Sequence, residues 1–188
     1  MKKTITIISI LVLSALLAFF WTEIDTHLEK KSHPAEHIEI VEKYADEYSV
    51  PKELILAVIR TESKFKSDAI SSAGAIGLMQ ITPETYRWLC QKNSDPECDE
   101  KYLYTPETNI HYGVYYLDML YSEFLSWETA LAAYNAGPTR VREWLKSPEY
   151  SSGGVLVDIP FRETRDYVKK VMEAKDKYKE LYFENNKN

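Results

Sequence analysis

The 188 residues of this chain suffice for one domain with a hydrophobic core and leave little room for a second. The formal net charge of −6 and the isoelectric point near 5.3 argue against a nucleic-acid partner, and the sequence contains no basic stripe. Aromatic residues make up 13% of the chain, which suits both sugar binding and an aromatic core and therefore does not decide between them.

The first element in the chain is an uncharged apolar run from Ile5 to Trp21, preceded by two lysines. Its length suits either a signal-peptide core or a short membrane-spanning helix. The bulky triplet at 19–21 stands where a signal-peptide cleavage site would need small residues. We therefore expect residues 1–22 to form an uncleaved membrane anchor with the domain outside the membrane, and a cleaved signal peptide is the alternative. Residues 23–37 are polar and contain Pro34, which predicts a tether.

The segment from Val50 to Ser63 predicts a central helix, with Pro51 suited to its first turn. Its apolar face consists of Leu54, Ile55, Ala57, Val58 and Ile59. Glu62 continues that face at helical spacing, so its carboxyl should be buried near the C-terminal end of the helix. Burial and the helix dipole both raise a carboxyl pKa. The pattern indicates a general acid that is protonated at neutral pH, and a surface glutamate is the alternative.

A loop of small residues follows this helix. Ser71 to Gly77 reads Ser-Ser-Ala-Gly-Ala-Ile-Gly, a composition that allows the backbone to approach a ligand closely. Gln80 then presents a side-chain amide, and Thr82 is placed to cap the next helix. An acid, a permissive loop and an amide within twenty residues indicate a site that binds a polar, uncharged polymer.

Three short motifs occur in order along the chain. They are Glu62-Ser63, Gly77-Leu78-Met79-Gln80 and Ala133-Tyr134-Asn135-Ala136-Gly137. Together they resemble the signature motifs of the soluble lytic transglycosylase family, and the run Glu163-Thr164-Arg165-Asp166-Tyr167-Val168 resembles a stretch that borders the active site in that family. The resemblance extends from about Ile38 to about Tyr182. It implies a lysozyme-like domain that cleaves the β-1,4 bond between N-acetylmuramic acid and N-acetylglucosamine in peptidoglycan.

The resemblance also implies roles for single residues. Glu62 would be the catalytic acid and base, and Ser71 would bind the reacting sugar, although Ser72 lies beside it. The substrate-binding residues that the resemblance predicts are Ser71, Gly77, Met79, Gln80, Tyr134, Asn135, Glu163 and Tyr167. Glu163 and Tyr167 lie one helical turn apart and so share a face. An ion pair with a neighbouring arginine is the alternative for Glu163.

The number of carboxylates near Glu62 bears on the reaction. A hydrolytic glycosidase usually needs two, whereas Asp68 is the only near neighbour in sequence and no motif marks it. A lytic transglycosylase needs one, because the C6 hydroxyl of the muramoyl residue attacks C1 and leaves a 1,6-anhydro end. We expect that reaction with no cofactor. A lysozyme-like hydrolase and a non-catalytic glycan-binding domain are the alternatives.

The remaining segments predict helices joined by short loops. We expect helices over Ala35 to Tyr48, Pro83 to Leu89, from Thr105 to about Phe124, Ser126 to Ala136, Thr139 to Lys146, and from about Ile159 to Phe183. No segment shows the alternation of a strand. The fold is therefore predicted to be all-α, with at most a β-like turn around Ala69 to Ile81 and a mobile loop over Ser147 to Val157. The catalytic domain would span residues 38–183, followed by a tail at 184–188.

The sequence predicts no catalytic role for the two cysteines, His111 or Gly113. Cys90 and Cys98 lie eight residues apart, which predicts a disulfide in an exported domain, with two reduced thiols as the alternative. Two cysteines without a nearby histidine supply too few ligands for a metal site. His111 is expected on an exposed helix face without a role, and Gly113 is expected to allow close helix packing.

Overall fold

The computed structural model describes residues 27–96 and 98–184, preceded by positions 13, 14, 16, 17, 19–21, 24 and 25. The apolar run Ile5 to Trp21 therefore lies largely outside the described residues, and so does most of the tail at 184–188. Within the described part of the chain, no helix is both long enough and apolar enough to cross a membrane. The membrane anchor stays a prediction.

The described domain is mostly helical, as predicted. Its α-helices are α1 (Ile38–Tyr48), α2 (Lys52–Ser63), α3 (Pro83–Lys92), α4 (Pro106–Phe124), α5 (Trp127–Ala136), α6 (Pro138–Leu145) and α7 (Arg162–Tyr178). A 3₁₀ helix, Glu100–Tyr104, precedes α4, and a π-helical segment, Lys179–Glu184, continues α7. Thr82 caps α3 by accepting a hydrogen bond from the Thr85 N–H at 3.1 Å, and Ser126 caps α5 in the same way.

Helix α2 forms the centre of the domain. All six residues from Leu54 to Ile59 are fully buried, so this part of the helix is apolar on every side and is enclosed by its neighbours. Helix α7 makes its most extensive contacts with α2, and α1 packs against both α2 and α4. This enclosure fixes the direction of the last turn of α2, where Glu62 lies.

A short hairpin lies within Ser147 to Val157, the segment expected to be a mobile loop, and it corrects the expectation that β structure is confined to a turn around Ala69 to Ile81. Strands β1 (Ser151–Ser152) and β2 (Val155–Leu156) pair antiparallel across Gly153 and Gly154. Both glycines have positive φ, 60° and 86°, which suits the tight two-residue turn of a hairpin. The strands are too short to show alternation, so the Gly-Gly pair was the only sequence signal for them.

The segment before α1 is ordered against the domain rather than free. Residues 27–32 are helical, and the chain leaves the helix before Pro34. The Tyr178 hydroxyl donates to the Pro34 carbonyl at 2.9 Å, and the Tyr182 hydroxyl donates to the His33 carbonyl at 2.8 Å. Lys177 and Glu29 form an ion pair at 2.5 Å. The part of the tether that the structure describes is therefore held by α7 and the segment after it.

Cys90 and Cys98 form a disulfide with their Cα atoms 6.0 Å apart. Cys90 is buried at the end of α3, which extends to Lys92 rather than stopping at Leu89. Closing so short a loop contributes about 2.5 kcal/mol through the entropy of the unfolded chain. The bridge fastens the polar segment between α3 and the 3₁₀ helix to the core.

The expectation that His111 lies on an exposed face was wrong. Its ring is half-buried, stacks on Tyr44 with centroids 4.6 Å apart, and shares a hydrogen bond of 2.8 Å with the Tyr48 hydroxyl. Burial lowers the pKa of the imidazole. The ring is enclosed because α1 covers this side of α4, a contact that periodicity within α4 does not reveal.

The loop between α2 and α3 contains two isolated β-bridges, Ile70 with Ile76 and Ile76 with Ile81. Asn109, buried on α4, attaches this loop to the helical core. Its side-chain oxygen accepts from the Met79 N–H at 2.7 Å, while its amide nitrogen donates to the carbonyls of Ile76 (2.9 Å) and Leu103 (2.7 Å). One side chain thus satisfies three buried backbone groups.

We expect Asn109→Ala to lower the free energy of unfolding by at least about 1–3 kcal/mol, because it leaves buried backbone groups without partners. Asn109→Asp is the matched variant. It preserves size and the acceptor for Met79 but places a carboxylate oxygen against two carbonyls, so it should destabilise at least as much at neutral pH. Urea unfolding measures both, and a loss below about 0.5 kcal/mol for each would contradict this role.

Candidate active site

Glu62 lies in the last turn of α2 with its side chain only partly exposed. Burial raises the pKa of its carboxyl to about 7. Among the described residues, no basic side chain forms an ion pair with it. No nearby positive charge from those residues stabilises the carboxylate, so burial favours the protonated form. At a pKa of about 7, protonated and ionised forms coexist near neutral pH.

Two tyrosines lie near this carboxyl, Tyr167 buried and Tyr134 partly buried. Tyr134 comes from α5, and its hydroxyl donates a hydrogen bond of 2.7 Å to the Met79 carbonyl. Tyr167 comes from α7, and its hydroxyl makes no well-aligned hydrogen bond with any described residue. It nevertheless lies close enough to Glu62 to favour the carboxylate and so lowers the pKa of Glu62 against the effect of burial. The pKa values of both phenols are raised well above their usual range by burial and by the charge of Glu62, so both stay neutral.

Ser71 occupies the turn of the small-residue loop. Its hydroxyl oxygen accepts from the Ala75 N–H at 3.0 Å, which leaves the hydroxyl hydrogen available to another acceptor. Ser72 beside it is exposed and makes no side-chain hydrogen bond with a described residue. The structure thus fixes the Ser71 oxygen and leaves that of Ser72 unconstrained.

Gln80 holds the same loop from its other end. Its backbone has a positive φ of 50°, and its side-chain nitrogen donates to the carbonyls of Ala69 (3.1 Å) and Gly77 (2.9 Å). Both hydrogens of the amide are therefore committed to the loop. The amide oxygen has no partner among the described residues and can accept a hydrogen bond from a ligand.

Gly77 and Met79 contribute to the site through the backbone. Gly77 has a φ of 80°, and a Cβ there would lie 2.5 Å from the Leu103 carbonyl oxygen and closer still to Asn109. The Met79 side chain is fully buried against Gly113, where a Cβ would overlap it. Gly113 thus makes room for a side chain rather than for a neighbouring helix. What Met79 offers towards Glu62 is the carbonyl that positions Tyr134.

Asn135 and Gln80 line a cavity of about 280 Å³ together with Tyr134 and Tyr116. The Asn135 side chain is exposed and makes no hydrogen bond with a described residue, so both its donor and its acceptor face solvent. Tyr116, from α4, packs against Tyr134 with ring centroids 5.3 Å apart. The cavity combines amide groups with aromatic walls, which is a lining that suits a sugar.

Two acidic residues discussed above lie outside this arrangement. Glu163 is exposed at the start of α7 and forms no ion pair with a described residue, so the ion-pair alternative is absent from this structure. Asp68 is exposed in the loop after α2 and does not contribute to the pKa of Glu62. Among the described residues no second carboxylate is therefore coupled to the acid.

Asn109 and Tyr116 are the residues at this site to which the sequence assigned no role. They lie with Gly113 at spacings of four and three on α4 and so share the face that meets the loop and α5. That spacing was visible in the sequence. A polar residue, a glycine and a tyrosine interrupting an apolar face were the available signal.

Comparison with known proteins gives a consistent result. The transglycosylase SLT domain family matches residues 39–153. The soluble lytic murein transglycosylase of Escherichia coli K12 is 37% identical over 156 residues, which cover 81% of this chain and 24% of that protein. The membrane-bound lytic murein transglycosylase C of Actinobacillus pleuropneumoniae is 31% identical over 175 residues, which cover 81% of this chain and 47% of that protein.

Solved structures agree. The 70 kDa soluble lytic transglycosylase of Escherichia coli superposes with a TM-score of 0.74 at 34% identity, over 81% of this chain and 25% of that one. An inactive glutamate-to-glutamine mutant of the lytic transglycosylase Slt from Pseudomonas aeruginosa gives 0.71 at 37% identity, over 79% and 25%. The chain spans about a quarter of the length of these soluble relatives and about half of the membrane-bound one. The chain belongs to the transglycosylase SLT domain family.

Proposed function

We propose that the protein is a peptidoglycan lytic transglycosylase in which Glu62 alone supplies the acid and the base. The observation that carries the proposal is a carboxyl with a pKa of about 7 and, among the described residues, no coupled second carboxylate. A hydrolase that activates water would need such a partner. The names of the relatives support the substrate class, and the inactive glutamate mutant of the Pseudomonas enzyme supports a glutamate as the essential group.

In the proposed reaction, protonated Glu62 donates its proton to the glycosidic oxygen as the bond from C1 to that oxygen breaks. The positive charge that develops at C1 is stabilised with help from the N-acetyl group of the muramoyl residue. The Glu62 carboxylate then accepts the proton of the C6 hydroxyl as its oxygen bonds to C1. The product ends in a 1,6-anhydro ring, no water is consumed, and Glu62 is protonated again.

The surrounding groups have separable parts in this proposal. The free hydroxyl hydrogen of Ser71, the amide oxygen of Gln80 and the exposed amide of Asn135 bind the sugar. Tyr134 and Tyr167 exclude water from the carboxyl, and Tyr167 offers a hydrogen bond when Glu62 is ionised. Glu163, exposed at the start of the helix that also carries Tyr167, is proposed as a further substrate contact. Gly77 and Met79 hold the backbone in place.

We further propose the domain arrangement that the sequence indicates. Residues 1–22 anchor the protein in the membrane, residues 23–37 connect the anchor to the domain, and residues 38–183 form the catalytic domain outside the membrane. The name of the Actinobacillus relative shows that membrane attachment occurs within the family.

Glu62→Gln should lower activity by a factor of about 10² to 10⁴ or more, because glutamine keeps the shape but can neither give nor take a proton. Asp68→Asn is the matched control and should be comparatively mild. Mass spectrometry of muropeptides provides the readout, since an anhydro product is lighter than a hydrolysed one by one water. Products with only reducing ends, or equal inactivity of both variants, would favour the two-carboxylate hydrolase.

The same substitution has an expected effect on stability. The pKa of Glu62 is raised in the folded state, so the wild-type protein loses stability as pH rises from about 4.5 through about 7. Glu62→Gln carries no charge to bury. It should therefore be at least as stable as the wild type above pH 7, which separates loss of chemistry from loss of fold.

Activity should fall as pH rises through about 7, because the acid step needs protonated Glu62. Tyr167→Phe removes the hydroxyl that favours the carboxylate, so the pKa of Glu62 should rise and the falling limb of kcat/KM should move to higher pH. The position of that limb is independent of any loss of rate that the variant causes. A limb that stays in place or moves to lower pH would show that the hydroxyl does not act on Glu62.

The full-length protein should stay in the membrane fraction after high-salt and alkaline washes, because an inserted apolar helix resists both. External protease should reach the domain in intact cells freed of their wall. Recovery from the medium of a protein whose N-terminus lies near Thr22 would instead establish the cleaved signal peptide.

A further inference from the structure

Trp88 is a large aromatic side chain that lies outside the hydrophobic core. It lies on α3 with 39% of its surface exposed, whereas Tyr86 and Leu89 on the same helix are buried at 1% and 0%. Those two residues fasten α3 to the domain. An indole that is left this open on an anchored helix has surface available for a ligand.

The position of Trp88 connects it with the candidate active site. Its ring meets Tyr116 edge to face with centroids 6.1 Å apart, and Tyr116 in turn contacts Tyr134 at 5.3 Å. Tyr134 is the tyrosine beside Glu62. Three rings therefore run in sequence from the acid to the surface of α3.

The cavity lined by Tyr134 and Asn135 reaches the same helix. Thr85, on the first turn of α3, lines the cavity together with Tyr116. Trp88 lies three residues further on and so shares the helix face of Thr85. The indole therefore lies on the helix face that borders the cavity.

Lys92 is the other group near this ring. Its ammonium lies 5.9 Å from the indole centroid, at the outer limit of a cation–π contact, and the side chain is exposed. Such a contact is weak at an exposed site, so a ligand that stacks on the ring can displace it. Lys92 therefore leaves the face of the indole open to a ligand.

We propose that Trp88, braced by Tyr116, is a stacking platform for a pyranose ring of the glycan strand, one or more sugars away from the bond at Glu62. The face of a β-linked pyranose presents several C–H groups, which pack against an indole while the hydroxyls stay in water. This inference rests on the proposed function, because that function supplies the glycan. It adds a binding position that gives the enzyme a preference for longer strands.

The test is binding of soluble β-1,4-linked N-acetylglucosamine oligomers to the full-length Glu62→Gln protein, which removes cleavage from the measurement. Trp88→Ala in that background should weaken the affinity for a long oligomer about three- to tenfold, the range expected for one aromatic contact. The affinity for the disaccharide should fall less, because a disaccharide fills at most two neighbouring sugar positions and the platform serves a position further along the strand. Trp88→Phe should restore most of the loss, because it keeps a ring.

Leu125→Ala is the matched control. Leu125 is also an exposed apolar residue, 75% accessible, but it lies at the opposite end of α4 from the loop attached by Asn109. It should leave both affinities unchanged. Urea unfolding should show that every variant is fully folded under the conditions of the binding measurement.

Two results would overturn the platform. One is unchanged binding of the long oligomer by Trp88→Ala, and the other is an equal loss for long and short oligomers. Neither depends on the chemistry at Glu62. If wild-type digests lack anhydro ends but the length-dependent loss is present, the transglycosylase mechanism fails and the platform stands.

Discussion

The carboxyl group of Glu62 lies in a poorly hydrated environment that offers hydroxyl groups but, in the described part of the chain, no cation. An ionised carboxylate without a partner is costly to bury, and a carboxyl in this position responds by keeping its proton to higher pH. The two phenols beside it stay neutral, since their own pKa values are raised as well. An arginine or lysine at the same distance would lower the pKa and remove the acid.

Keeping such a group dry requires a rigid surround, and the fold supplies it from three directions. Helix α2 is buried on every side before it reaches Glu62, so the last turn cannot tilt towards solvent. Helices α5 and α7 each place one tyrosine against it. The loop that carries Ser71 and Gln80 is attached to α4 through Asn109, whose three hydrogen bonds replace the ladder that a longer β-sheet would provide. The loop of the site is thus attached to the helical core.

Local sequence patterns were sufficient to predict the helices and the burial of Glu62, because periodicity and caps are properties of one segment. They were insufficient wherever two distant segments determine the environment. The role of Asn109 is not visible in its own segment, since its three partners lie 6 to 33 residues away. The periodicity of α4 predicts an exposed His111, because it contains no information on α1, which covers that face. The hairpin at Gly153 was missed because strands of two residues carry no period.

The pKa of Glu62 bears on how one carboxyl could serve both halves of the proposed reaction. A glutamate with an ordinary pKa of about 4.5 would be protonated in roughly one molecule in three hundred at pH 7, which starves the acid step. A much higher pKa would supply the acid but leave too little driving force for returning the proton from the C6 hydroxyl. At about 7 roughly half of the molecules are protonated at neutral pH, and the carboxylate that accepts the C6 proton is the one that the acid step has just produced. A second carboxylate nearby would shift this balance by raising the pKa further. The absence of a coupled acid among the described residues is therefore consistent with a single group that alternates between the two roles. Burial raises the pKa of that group to about 7, and the Tyr167 hydroxyl acts against the rise.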